Sequence, residues 1–198
     1  MRILRMTIAM VFAIAGTNSL AQTATVNPNT KISVTSFQAL AQSCTANVSV
    51  STLEAIAHAE SALYPYALSI NRPHQLARRQ GWSRGTITLE RQPASREEAL
   101  LWTKWLLAHG VTVSMGLLQV NSEHAKALHL TVEQLLEPCT NLWAGATLLA
   151  RTYSATAHAQ GEGFAALDTA LSYYNTGSPH LGFQNGYVGQ VRLNASPP

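Results

Sequence analysis

The sequence predicts a mainly α-helical single domain with one loop-rich insertion. Three observations carry that expectation. Helix-start patterns led by serine or threonine recur along the chain. Apolar residues after them fall at helical spacing, and stretches with strand alternation are few. The length of 198 residues suits one domain with small extras. A hydrophobic content of 46% against 12% charged residues supplies material for a core and excludes a disordered chain. There is no internal repeat.

The N-terminus reads as a secretory signal over residues 1–21. Arg2 and Arg5 form a basic start, Met6 to Ala15 is apolar apart from Thr7, and Ser19-Leu20-Ala21 offers small residues before a cut at Gln22. The apolar run is about ten residues, whereas a membrane-spanning helix needs roughly 20. Cleavage therefore leaves no stable membrane span. It also removes two arginines and no acid, leaving eleven basic against ten acidic side chains, a net charge of +1. No dense basic stripe of the nucleic-acid-binding kind is present, although Arg72, Arg78, Arg79, Arg84 and Arg91 make one local basic stretch. Two cysteines remain, Cys44 and Cys139. An even count in an exported chain favours a disulfide, and a loop of roughly a hundred residues gives it about 4–5 kcal/mol in the chain-entropy model. Neither cysteine has zinc-ligand spacing around it.

Residues 22–35 form a polar, flexible lead containing Pro28, and the folded domain is expected over 36–193 with a short tail at 194–198. Ser36 caps a first helix. Ser51-Thr52-Leu53-Glu54 has the pattern of a capping box and opens a helix with Leu53, Ile56, Ala57 and Glu60 on one face, ended before Pro65. Asn71 to Pro93 has no helical period, and Thr86 to Leu89 suggests loops or a short hairpin. Ser95-Arg96-Glu97-Glu98 opens a helix closed by Gly110. Thr131 caps a short helix that stops before Pro138. Longer helices follow over 141–158 and 164–174, with a last one over 185–193.

The mature chain has nine Glu and one Asp. Capping and first-turn charge account for Glu54, Glu97 and Glu98. Glu60 in Ala57-His58-Ala59-Glu60-Ser61 differs, since it shares an apolar face near a helix C-terminus. Both settings disfavour the ionised form, and a protonated carboxyl is what a glycosidic leaving oxygen needs. On helix position alone, a surface Glu is the commoner reading. In Met115-Gly116-Leu117-Leu118-Gln119-Val120-Asn121, the amides of Gln119 and Asn121 alternate with apolar residues and are expected to project together toward a polyhydroxylated ligand. Ala170-Leu171-Ser172-Tyr173-Tyr174-Asn175-Thr176-Gly177 and Gly182-Phe183-Gln184-Asn185-Gly186-Tyr187-Val188 each fit a core aromatic with a helix cap as well as a site.

Taken in order, these four motifs resemble the soluble lytic transglycosylase family, most of all the subunit of type IV secretion and conjugation systems. The likeness covers roughly residues 36–193, and the surroundings of Cys44 and Cys139 share it. It implies a lysozyme-like (goose-type lysozyme or transglycosylase) fold with a substrate cleft, catalysis by Glu60, and substrate-binding roles for Ser61, Gln119, Tyr174, Asn175 and Tyr187. It also implies peptidoglycan glycan strands as substrate, secretion-system subunits as partners, a periplasmic location, and no cofactor or metal. One departure is the run Ser61-Ala62-Leu63-Tyr64-Pro65, where related chains often carry an aromatic and Asn before the proline. Two other functions remain open: a hydrolytic muramidase on the same fold, and an exported wall-binding assembly protein without catalysis.

Overall fold

A computed structural model describes residues 31–71, 86–89 and 91–195. The expected signal, the lead up to residue 30, Arg72, Arg78, Arg79 and Arg84 of the basic stretch, and residues 196–198 of the tail lie outside the described residues. The described chain is mainly helical, as expected, with one small sheet.

Helix α1 (Val34–Cys44) begins before Ser36. The cap is Ser33, whose hydroxyl accepts from the Ser36 backbone N–H at 3.0 Å. Ahead of the helix, Ile32 is buried and its backbone N–H donates to the Leu63 carbonyl at 3.0 Å. Helix α2 (Val50–Ser61) is capped by Ser49 rather than Ser51. From that cap, Glu54 is too far along the helix to reach back. It accepts instead from the Gln38 amide at 2.9 Å, tying α2 to α1. Leu53, Ala55, Ile56 and Ala57 form the buried face of α2. The helix ends in two consecutive left-handed residues, Ala62 (φ 50°) and Leu63 (φ 65°). Each costs on the order of 1–3 kcal/mol outside glycine. Burial of the Leu63 side chain and the Ile32 bond to its carbonyl hold the turn in place.

The sheet was largely hidden in the sequence. Strands β1 (Leu68–Asn71), β2 (Thr86–Thr88), β3 (Thr112–Met115) and β4 (Val120–Asn121) pair antiparallel in the order β2-β1-β3-β4. None exceeds four residues, too short for a period of two to stand out. Between β2 and β3 runs α3 (Arg96–Ala108). Ser95 caps it as expected, but Glu98 closes back on the Ala94 N–H and on Arg91, one residue outside the predicted box.

Short helices α4 (Ser122–Ala127) and α5 (Val132–Leu135) lead to the long helix α6 (Pro138–Gln160). Thr131 and Gln134 form a full capping box. Pro138 starts α6 rather than merely ending what precedes it, because a first-turn residue needs no backbone N–H. The disulfide between Cys44 and Cys139 fastens the end of α1 to the first turn of α6. Helix α7 (Phe164–Thr176) packs along α6, and α8 (Leu181–Gln184) and α9 (Tyr187–Ala195) complete the described chain. The last helix starts two residues later than the sequence suggests, after Asn185 takes the Tyr187 N–H on its side chain. The core runs between α2, α6, α7 and the sheet through Leu53, Ile56, Leu118, Leu142, Leu149 and Leu171. Among the described residues no helix is long and apolar enough to cross a membrane.

Candidate active site

The last turn of α2 delivers Glu60 to a cleft of about 960 Å³, walled by α2, the sheet, α6 and the end of α7. The residue is half-buried, with its carboxyl packed tightly enough that desolvation raises its pKa from 4.5 to about 7. Tyr187 moderates this rise by donating its hydroxyl to Glu60 Oε1 at 2.6 Å. Tyr187 is itself buried and stands behind the carboxyl rather than on the cleft surface. It therefore sets the acid's orientation and proton affinity. A pKa near 7 leaves the carboxyl protonated about half of the time at neutral pH, the condition for giving and then taking a proton.

The opposite wall is the turn between β3 and β4. Gly116 has φ 79°, and a side chain there would collide with the Asn141 amide. Asn141 is fully buried on α6. Its amide nitrogen donates to the carbonyls of Met115 (2.8 Å) and Leu135 (2.9 Å), and its oxygen accepts from the Leu118 N–H (2.8 Å). This residue shapes the turn, and sequence reasoning missed it. The only signal was its place in Pro138-Cys139-Thr140-Asn141-Leu142.

The expectation that Gln119 and Asn121 project together into the cleft needs correction. Gln119 has φ 47°, and its amide nitrogen donates to the carbonyls of Ala67 (2.9 Å) and Gly116 (3.0 Å), while its oxygen accepts from Ser69 Oγ (2.7 Å). The side chain thus closes its own turn onto β1. The Asn121 oxygen caps α4 through the Glu123 N–H at 2.9 Å, and its nitrogen faces Ser114 Oγ at 3.4 Å. Both residues line the cleft, but both amides are engaged within the protein. Ser69 and Ser114 of the sheet also line the cleft, and the sequence reading passed over both.

Ser61 likewise turns inward. Its buried hydroxyl lies 3.0 Å from the Ala57 carbonyl and 2.8 Å from that of Leu117, pinning the acid-bearing helix to the turn. Tyr174 donates to the Leu118 carbonyl at 2.7 Å. Glycine at position 145 permits this approach, since a Cβ there would sit 2.9 Å from the Tyr174 hydroxyl. Burial, and then the charge of Glu60, push the Tyr174 hydroxyl well above its usual pKa, so it remains a neutral donor. Asn175 is exposed on the cleft, with its oxygen taken by Asn185 at 2.8 Å. The cleft thus brings together Glu60, Ser61, Gln119, Tyr174 and Asn175, with Tyr187 behind the acid. A second carboxylate, Glu123, lines the exposed rim. Among the described residues no group of three or more His, Cys, Asp or Glu is placed to hold a metal ion.

Residues 37–195 match the family described as Transglycosylase SLT domain. Protein virB1 of Agrobacterium fabrum (strain C58) is 32% identical over 177 residues, 89% of this chain and 66% of that relative. Protein virB1 of Rhizobium radiobacter is 32% identical over 84% of this chain and 63% of its own length. The type IV secretion system protein virB1 of Brucella abortus biovar 1 is 33% identical over 80% of this chain and 63% of its own. The chain spans just under two thirds of the length of these curated relatives. No solved structure matches it significantly. With a match over most of its length, the chain belongs to the transglycosylase SLT domain family.

Proposed function

We propose that this chain is a peptidoglycan lytic transglycosylase that cuts the β-1,4 bond between N-acetylmuramic acid and N-acetylglucosamine. Glu60 gives its proton to the glycosidic oxygen as the bond to the anomeric carbon breaks. The substrate's N-acetyl oxygen stabilises the positive anomeric centre, a substrate-assisted route that needs no second carboxylate. The Glu60 carboxylate then takes the proton of the muramoyl 6-hydroxyl as that oxygen closes on the anomeric carbon. The product carries a 1,6-anhydro end, no water is consumed, and Glu60 regains its proton. The observation that carries this reading is the Glu60 carboxyl in the cleft, held by the Tyr187 hydroxyl at 2.6 Å and desolvated so that burial pushes its pKa up to about 7. Asn175 and the rim of the glycine turn engage the sugar, while Ser61, Gln119 and Tyr174 hold the walls in register.

The Brucella relative is named as a protein of a type IV secretion system. By its likeness over most of this chain, we assign the chain the corresponding role of opening the wall in the periplasm, after export, for such an apparatus and its subunits. Mass spectrometry of digested sacculi tests the chemistry. The parent is expected to release anhydromuropeptides and Glu60→Gln to release none; hydrated reducing ends from the parent would replace this reading with a hydrolytic one. The observation on that rival's side is Glu123, a second carboxylate in the cleft that could activate water.

A further inference from the structure

A second hollow, of about 430 Å³, lies between α6, α7 and the turn at Pro179. It shares Thr152 and Tyr173 with the main cleft, so the two have a common wall. Its chemistry differs from the cleft's. The small apolar groups of Ala155, Ala159 and Pro179 line it. Its threonine hydroxyls are turned onto backbone: Thr152 to the Leu148 carbonyl and Thr156 to that of Ala166, both at 2.9 Å, and Thr169 to that of Ala165 at 3.0 Å. Arg151 is exposed at its edge and makes no ion pair with the described residues. Besides Arg151, its polar groups are the Gln160 amide, whose oxygen accepts from the Thr169 hydroxyl at 3.4 Å, and the Tyr173 hydroxyl on the wall shared with the cleft. A chain with small apolar side chains and a carboxylate fits it in both shape and charge.

We propose that this hollow is an accessory subsite for the acidic peptide borne by the glycan strand, with small side chains against Ala155 and Ala159 and a carboxylate on Arg151. The proposal rests on the glycan-cleaving reading of the main cleft, and continuity through Tyr173 lets one substrate occupy both hollows.

The test uses two exposed positions outside the catalytic machinery, Arg151→Ala and Ala155→Glu. Parent and variants are assayed on peptide-bearing glycan strands and on the same strands stripped of peptide by an amidase. Each variant is expected to lose about five- to tenfold in kcat/KM on peptide-bearing strands and to match the parent on stripped ones. Amidating the peptide carboxylates should impose a similar loss on the parent and add none to Arg151→Ala. Variants that equal the parent on both substrates, or fall equally on both, overturn the subsite while leaving the cleft's reading intact. A folded parent that cleaves neither substrate overturns the glycan-cleaving reading, and the subsite with it.

Discussion

Helix α9 meets a carboxylate at each end, and the two encounters differ in kind. At its start Tyr187 gives a neutral hydroxyl to Glu60 on α2. One and a half turns later Arg192 grips Asp168 on α7 with two guanidinium nitrogens, the Nε at 2.8 Å from Oδ1. Asp168 is the more deeply buried residue, yet it has a full counter-charge, whereas Glu60 has only a dipole. A cationic partner makes a carboxylate a structural tie. A neutral partner in a desolvated setting leaves a carboxyl whose proton can move. One helix thus secures the fold and tunes the acid.

The same chemical change should have opposite consequences at the two ends. Glu60 has a folded pKa of about 7 against 4.5 for the ordinary group. Its stabilising contribution is fully present below 4.5 and lost as pH rises through about 7. Glu60→Gln removes that loss and still offers Tyr187 an accepting oxygen. The variant is expected to be more stable than the parent at pH 8, by at most about 3 kcal/mol, with the gap closing toward pH 4.5. Denaturant titrations at both pH values check this; a pH-independent difference would break the contrast. Asp168→Asn loses the charge that Arg192 answers. It should cost about 2 kcal/mol, between the values for exposed and buried pairs, and lower the melting temperature by several degrees without changing the pH profile of turnover.

Tyr187→Phe removes the one hydrogen bond that lowers the Glu60 pKa, so the alkaline limb of the pH–rate profile should move upward. Loss of orientation should also reduce the maximal rate by about tenfold. An unmoved limb would separate Tyr187 from the acid. Glu123→Gln, on the exposed rim, should leave kcat within about twofold of the parent's, since general-base catalysis would be worth far more, roughly a hundredfold or above. A loss of that size would favour the hydrolytic mechanism.

What was legible in the sequence follows the range of the interactions. The Thr131 cap rests on neighbours within one turn, and pattern reasoning found it; the sequence ended α7 at Tyr174, two residues short of Thr176, because the turn before Gly177 reads as well outside the helix as in it. The Ser49 and Ser33 caps were missed because several serines stand close together, and the choice among them depends on how α1 and α2 pack. The Gln119 amide was read outward because an amide beside apolar residues suits a ligand as well as a wall, and the role of Ser61 came only from the family resemblance. Only the folded chain reveals that carbonyls 52 and 56 positions away take those protons. The bond from Tyr187 to Glu60 spans 127 positions and leaves no local trace. Strands of four residues or fewer gave too little alternation to read, and Asn141 looked like any helix-start amide.

Burial of its carboxyl should leave Glu60 carrying a proton near neutral pH. Carbon-13 NMR of side-chain-labelled glutamates, titrated in the parent and in Glu60→Gln, tests it directly. One carboxyl resonance is expected to titrate at about 7 in the parent and to be absent from the variant. A Glu60 resonance titrating near 4.5, with the other carboxyls, would contradict it.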